Sequence, residues 1–262
     1  MSQATGPFGR LTRQQKVRIG QGVIVGGILG VVEFAPKLGL VGSTTLLPLS
    51  VMVSKLLSMF AAGSLGSHVV QTFSAVFGAF FLAVATGAPA GVFIWRYELF
   101  KRVLDPYLLI YYAVPFFAFY PLLISLVGLG ILPILLIAFG FSVVIVVTNT
   151  ASGLEEVPEV YVQAGRDMNL SQRQLIQHVY LPAAAPYVFT GLKLGFIYAL
   201  IGTIASEFIL AENGLGWLIS YSYNNFDVQT MYAAMLLVIL LALGVNALLS
   251  TVESRLYRRV RS

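Results

Sequence analysis

Long stretches without a charged residue alternate with short polar ones, and the lengths of the uncharged stretches decide the class of protein. Residues 69–95, 106–154 and 228–252 contain no Asp, Glu, Lys or Arg. A helix needs about 20 apolar residues to cross a bilayer. The first and last stretches are therefore single spans. The middle one is too long for one helix and is expected to break at Gly128, Gly130 and Pro133, where two spans meet. Residues 19–32 follow Arg10, Arg13, Lys16 and Arg18 and precede Glu33 without a small-x-small cleavage site, so they read as a retained first span. Gly22, Gly26 and Gly30 lie four apart in it, a spacing that lets helices approach closely. Residues 187–210, interrupted by Lys193 and Glu207, make a further span. The expectation is an all-α membrane bundle in one domain, residues 1–262, with six transmembrane helices near 17–36, 68–95, 106–127, 131–152, 186–210 and 228–252.

The polar stretches supply the connections. Residues 37–67 read as an external connector with a short interfacial helix, 96–105 as a tight polar loop, and 211–227 as a second polar connector. Residues 155–185 are the longest polar, helix-forming segment and read as two short helices with a corner between them. Pro158 suits a first helical turn, and Glu155, Glu156 and Glu159 gather where a helix dipole favours negative charge. Val157, Tyr161, Ala164 and Met168 recur at three- and four-residue steps, which sets them on one helix face. Asn169 tolerates the left-handed backbone that ends a helix, and Ser171 with Gln174 has capping-box spacing. A second helix is expected from Gln172, stopped by Leu181 and Pro182.

Charge then orients the bundle. Six spans leave both termini on one side. Arg10, Arg13, Lys16, Arg18, Arg96, Lys101, Arg102, Arg166, Arg173 and the four arginines from Arg255 to Arg261 fall on that side, against Lys37 and Lys55 on the other. This is the positive-inside pattern, with both termini and residues 155–185 cytoplasmic. The net charge of +5 thus reflects membrane orientation and gives no reason to expect a nucleic-acid partner. Composition agrees, with 58% hydrophobic and 10% charged residues and a mean hydropathy of +0.85. Soluble domains carry about 25% charged residues.

Candidate chemistry is sparse. The absence of cysteine excludes disulfides, thiolate metal sites and cysteine catalysis. No Gly-x-x-x-x-Gly-Lys-Ser/Thr occurs, so any ATP is hydrolysed by another chain. The chain reads as a non-catalytic subunit without cofactor or metal; its two histidines, His68 and His178, fall on opposite sides of the membrane. Lys193 and Glu207 are charges within a span, which are costly and mark a pathway or a pair. At fourteen residues apart they are roughly 21 Å distant along a helix and cannot pair there. Two readings stand for each: pathway lining for both, or a snorkelling Lys193 and a Glu207 that caps or pairs with a neighbouring helix. Tyr107, Tyr111, Tyr112 and Tyr120 either line the path, form an interfacial girdle or serve plain helix packing.

The segment 163–182 resembles the loop of bacterial ABC importer permeases, Glu-Ala-Ala-x-x-x-Gly, nine residues, then Ile-x-Leu-Pro. Gln163, Ala164 and Gly165 fall on Glu-Ala-Ala, Asn169 on the glycine, and Val179 to Pro182 on Ile-x-Leu-Pro, without a gap. Gln163, Gly165 and Asn169 depart from the pattern. Further along, Asp105-Pro106, Val114-Pro115, Tyr120-Pro121-Leu122, Gly128-x-Gly130, and Ala205-Ser206-Glu207 with Gly214 to Trp217 are similar to permeases of the nitrate, sulfonate, taurine and thiamine-precursor group. The resemblance covers roughly residues 45–255. It implies a type I importer permease in the bacterial inner membrane, paired with a second copy. Two ABC ATPase subunits dock on the loops, and an external solute-binding protein delivers the solute. The implied coupling residues are Tyr161, Gln163, Ala164, Gly165, Arg166, Met168 and Asn169. The implied solute is a sulfonate-, taurine- or nitrate-like anion or a thiamine-precursor-like heterocycle. A secondary transporter or channel is the rival reading. A secondary transporter needs midplane coupling-ion carboxylates and usually an internal repeat, and neither is visible.

Overall fold

The computed structural model describes residues 12–42, 45–111 and 113–261; Arg10 and Tyr112 lie outside them. Helix α1, Arg13–Lys37, is opened by a capping box between Thr12 and Gln15. It touches the rest of the chain where Glu33 accepts hydrogen bonds from the Ser50 N–H and hydroxyl, both at 2.9 Å. No atom of another helix lies within 4 Å of a Cβ built on Gly22, Gly26 or Gly30. Among the described residues the glycine stripe therefore meets no other helix. Helix α2, Leu49–Ala61, buries Met52, Leu56 and Met59, the last two in a cluster with Leu215, Leu218, Ala233 and Leu237 further along the chain.

Three long helices form the centre: α3, Gly66–Arg96, then α6, Ile131–Glu155, and α9, Leu181–Leu210. α6 lies between the other two and is the most deeply buried of them, as its nearly unbroken apolar sequence requires. Small residues permit the approach. A Cβ on Gly91 of α3 would come within 2.6 Å of the Val147 carbonyl of α6, and one on Gly202 of α9 within 3.0 Å of the Ala138 Cα. The Ser142 hydroxyl of α6 donates to the Gly195 carbonyl of α9 at 2.8 Å. Helix α10, Leu215–Asn224, and helix α11, Val228–Arg261, complete the bundle beside α9 and α2.

Among the described residues five helices, not the expected six, are long and apolar enough to cross a membrane. The difference lies at 106–127. Helix α4, Glu98–Tyr111, ends there, a short 3-10 turn runs over Phe116–Phe119, and α5, Tyr120–Val127, follows. Pro115 is the cause. It has no N–H to donate and disfavours helical backbone at Val114, so the last bonds tighten to Ala113 N–H on Ile110 O and Val114 N–H on Tyr111 O. Gly128 and Gly130, at φ of 80° and 127°, then make the expected turn into α6.

Two further expectations change. Residues 96–105 are helical rather than a loop. Tyr97 alone leaves helical geometry, at φ −123°, and Lys101 of α4 pairs with Glu155 at 2.6 Å. Donation to that carboxylate also holds the Lys101 pKa above its ordinary value. Pro182 does not stop a helix either. Helix α8, Gln172–Leu175, passes through a π turn, Ile176–Tyr180, directly into α9. The wider turn lets Leu181 donate to Ile176 O, and Pro182 sits in the first turn of α9, where its missing N–H is absorbed.

Candidate functional site

The polar segment between α6 and α9 folds by local rules. Helix α7, Glu159–Asp167, begins behind Pro158, which occupies the N-cap position just outside the helix rather than its first turn. Only Glu159 occupies that turn, because Glu155 still belongs to α6. At the other end Asn169 takes φ 57°. The Leu170 N–H then reaches Gly165 O at 3.1 Å and the Asn169 N–H reaches Arg166 O at 2.8 Å. These two bonds are a Schellman closure. One residue later Ser171 and Gln174 cap each other reciprocally and start α8. Two helices are thus locked at a fixed angle by bonds spanning no more than five residues.

What the segment presents differs in part from its sequence pattern. Val157 is buried with Leu154, Val162, Leu175 and Ala184 in a small core beneath α7. Gly165 faces the same core, where a Cβ would sit 3.1 Å from Leu175 and Val179. Tyr161, Gln163, Ala164, Arg166, Met168 and Asn169 are exposed, with Met168 at 76%. Tyr161, Ala164 and Met168 share an apolar depression of about 500 Å³ with His178, Val179 and Pro182. The single apolar stripe read from 157 to 168 merges two faces, since Val157 is buried while Tyr161, Ala164 and Met168 are exposed.

The far end of α9 carries a second polar centre. Glu207 is fully buried and accepts hydrogen bonds from the Thr72 hydroxyl, at 2.8 Å, and the Gly216 N–H, at 3.0 Å. Thr72 in turn accepts from the Leu215 N–H at 2.9 Å. Those N–H groups open α10, whose N-cap Gly214 has no side chain to offer them. Two residues from other helices therefore cap α10 in place of its own cap residue. Gly214 cannot be otherwise: its φ is 110°, and a Cβ would lie 2.3 Å from the Glu207 carboxylate carbon. Thr72 carried no signal in the sequence, being one threonine of an apolar span.

Lys193 is also engaged. Its Nζ donates to Glu253 at 3.0 Å and to Ser250 at 2.8 Å, and Thr190 donates to the other Glu253 oxygen at 2.6 Å. Lys193 and Glu207, on one helix, face different neighbours. Of the tyrosines, Tyr107 is exposed, Tyr111 donates to Gly140 O at 2.8 Å and Tyr120 to Leu210 O at 2.6 Å.

The chain is thus a polytopic all-helical bundle that projects an apolar-faced helical turn from between α6 and α9. Residues 83–262 match the family described as the binding-protein-dependent transport system inner membrane component, and the chain belongs to that family. It is a non-catalytic, multi-pass inner-membrane permease subunit of an ABC importer. The taurine transport system permease protein of Escherichia coli is 27% identical over 91% of this chain and 89% of its own. A putative ABC transporter permease protein of Methanocaldococcus jannaschii is 26% identical over 80% and 79%. The nitrate import permease protein of a Synechocystis strain is 25% identical over 72% and 69%. In fold the chain is similar to the MetNI methionine ABC transporter in an inward-facing form, with TM-score 0.66 at 19% identity over 73% of this chain and 95% of that one.

Proposed function

We propose that this permease, with a second copy of itself, forms the pathway for a small polar or anionic solute delivered by an external binding protein. The turn between α7 and α8 docks on the ATPase. The observation that carries this reading is the exposed face of Tyr161, Ala164 and Met168 on a turn whose backbone is closed at Asn169. Arg166 supplies a polar edge contact. The distribution of arginine and lysine supports cytoplasmic termini and six crossings, the third made in two pieces across Pro115. Relatives named for taurine and nitrate support the solute class. Within this reading Glu207 and Lys193 are framework groups, since their polar atoms are engaged by Thr72, Gly216, Ser250 and Glu253.

The test is co-purification of the permease with its ATPase, and ATP hydrolysis stimulated by loaded binding protein, for the native chain and for Met168→Asp with Tyr161→Asp. The double variant is expected to remain in the membrane and lose both. Retention of both by the double variant, or uptake driven by an ion gradient without ATP, overturns the reading.

A further inference from the structure

The rod from α8 into α9 runs without interruption from Gln172 to Leu210, and its π turn decides which side chains share a face. In a plain α-helix, nine residues at about 100° each would set Leu175 and Ala184 on opposite faces. Both are nonetheless buried, at 2% and 0% exposure, in one core with Leu154, Val157 and Val162. The wide turn accounts for this. It takes up one residue more than an α turn does, so the remaining eight steps leave only about 80° between the two side chains. Gly165 of α7 lies against Leu175 and Val179, which a Cβ there would approach to 3.1 Å. Since the corner at Asn169 and Ser171 is closed by its own bonds, rotating α8 about the α9 axis carries α7 and the whole docking turn with it.

Pro182 is what holds the turn open. In an α-helix its ring would crowd the carbonyl of the residue four before it, His178. The longer bond from the Leu181 N–H to Ile176 O avoids that crowding. Side chains brace the widened turn. His178 Nδ1 donates to Gln174 O at 3.0 Å, and the Tyr180 ring meets Trp95 of α3 edge-on, with centroids 4.7 Å apart.

We propose that Pro182 is a positioning residue: by keeping the π turn open it fixes the rotation of the α7–α8 turn about the α9 axis, the rotation in which that turn meets the ATPase. The inference rests on the docking reading above and adds what aims the docking turn.

The experiment uses the full-length permease in lipid nanodiscs, without ATPase. The chain has no cysteine, so spin labels at Leu99→Cys and Asp167→Cys, both exposed positions, report the distance from α4 to the end of α7. Four chains are compared: native at 177 and 182, Pro182→Ala, deletion of Gln177, and both changes together. Pro182→Ala lets the turn wind as α-helix and rotates the docking turn by about 100°, so the distance should shift by more than about 5 Å, the radius of a helix. Deleting Gln177 as well removes the residue that the wide turn had taken up, and the combined variant should return to the native distance. Deleting Gln177 alone, with the proline kept, should misplace the turn. A proline needed only for folding would not be rescued by losing a residue. Co-purification of the unlabelled chains with the ATPase should fall about tenfold in each single change and recover in the combination.

An unchanged distance in Pro182→Ala overturns the proposal. So does a Gln177 deletion that is as disruptive in Pro182→Ala as in the native chain, or a combined variant that fails to accumulate in the membrane. If Pro182→Ala alone fails to accumulate while the combined variant does so at the native distance, the proposal stands. If the distance in Pro182→Ala is unchanged while Met168→Asp with Tyr161→Asp releases the ATPase, the positioning role falls and the docking reading stands. If the distances move as expected while every chain keeps its ATPase, Pro182 sets the rotation and the docking reading falls.

Discussion

The two turns at the ends of the α8–α9 helical run solve one problem in opposite ways. Each must begin a helix behind a residue at positive φ, Asn169 at 57° in one case and Gly214 at 110° in the other. Around Asn169 every bond is made within residues 165–174, and most of the side chains are exposed. Around Gly214 the helix start is capped by Glu207 and by Thr72, which is 143 residues from the Leu215 that it serves. The first turn is autonomous and displays its face. The second exists only when three helices have already met. A turn meant to engage another protein gains from carrying its own geometry, because its shape then survives movement of the bundle. A turn that joins the bundle gains from being pinned to it, and a buried carboxylate that accepts only from donors pins it well.

Topology gives the largest contrast. α9 is 30 residues long, about 45 Å, so its two ends should lie on opposite sides of the membrane. A reporter active only in the cytoplasm should work when fused after Met168 and fail after Gly214. Comparable activity at both would remove the orientation.

Next comes the buried node. Glu207→Ala strands the Thr72 hydroxyl and the Gly216 N–H and should cost about 2–4 kcal/mol, read as a fall in thermal unfolding temperature in detergent. Glu207→Gln, which keeps one acceptor, should cost less. A drop for Glu207→Ala no greater than for Asn169→Ala would erase the distinction between a pinned and an autonomous turn.

Lys193→Met removes a charged hydrogen-bond partner from Glu253 in a mostly buried site, a loss of about 2 kcal/mol. The double variant with Glu253→Gln should recover part of it, and uptake by either should match the native chain once membrane levels are equal. Impaired uptake at equal levels would return Lys193 to the pathway.

Asn169→Val forces a β-branched residue to positive φ, at about 1–3 kcal/mol of local strain. Because the turn is exposed, bundle stability should move little, while solute-stimulated ATP hydrolysis falls. Asn169→Gly should be the quietest change of all, with hydrolysis close to native. Equal hydrolysis by the Val and Gly variants would show that the turn does not couple the two proteins.

Much of this protein is written locally. The lengths of the uncharged stretches determine that it lives in a membrane, and the placement of arginine and lysine is the basis of the proposed orientation. Asn169, Ser171 and Gln174 determine a turn whose hydrogen bonds close within five residues, so its geometry could be read before any tertiary contact was known. Pro115 was equally visible, yet its effect was not. Whether a proline kinks a span or divides it depends on what receives the freed backbone, and here Gly140 lets Tyr111 and Phe116 pack against α6. Tertiary structure alone decided that Gly165 faces inward, that Lys193 meets Glu253, and that Glu207 caps a helix beside Thr72. Those partners stand 60 and 135 residues away from the two charges, and no periodicity within a helix records which face another helix will cover.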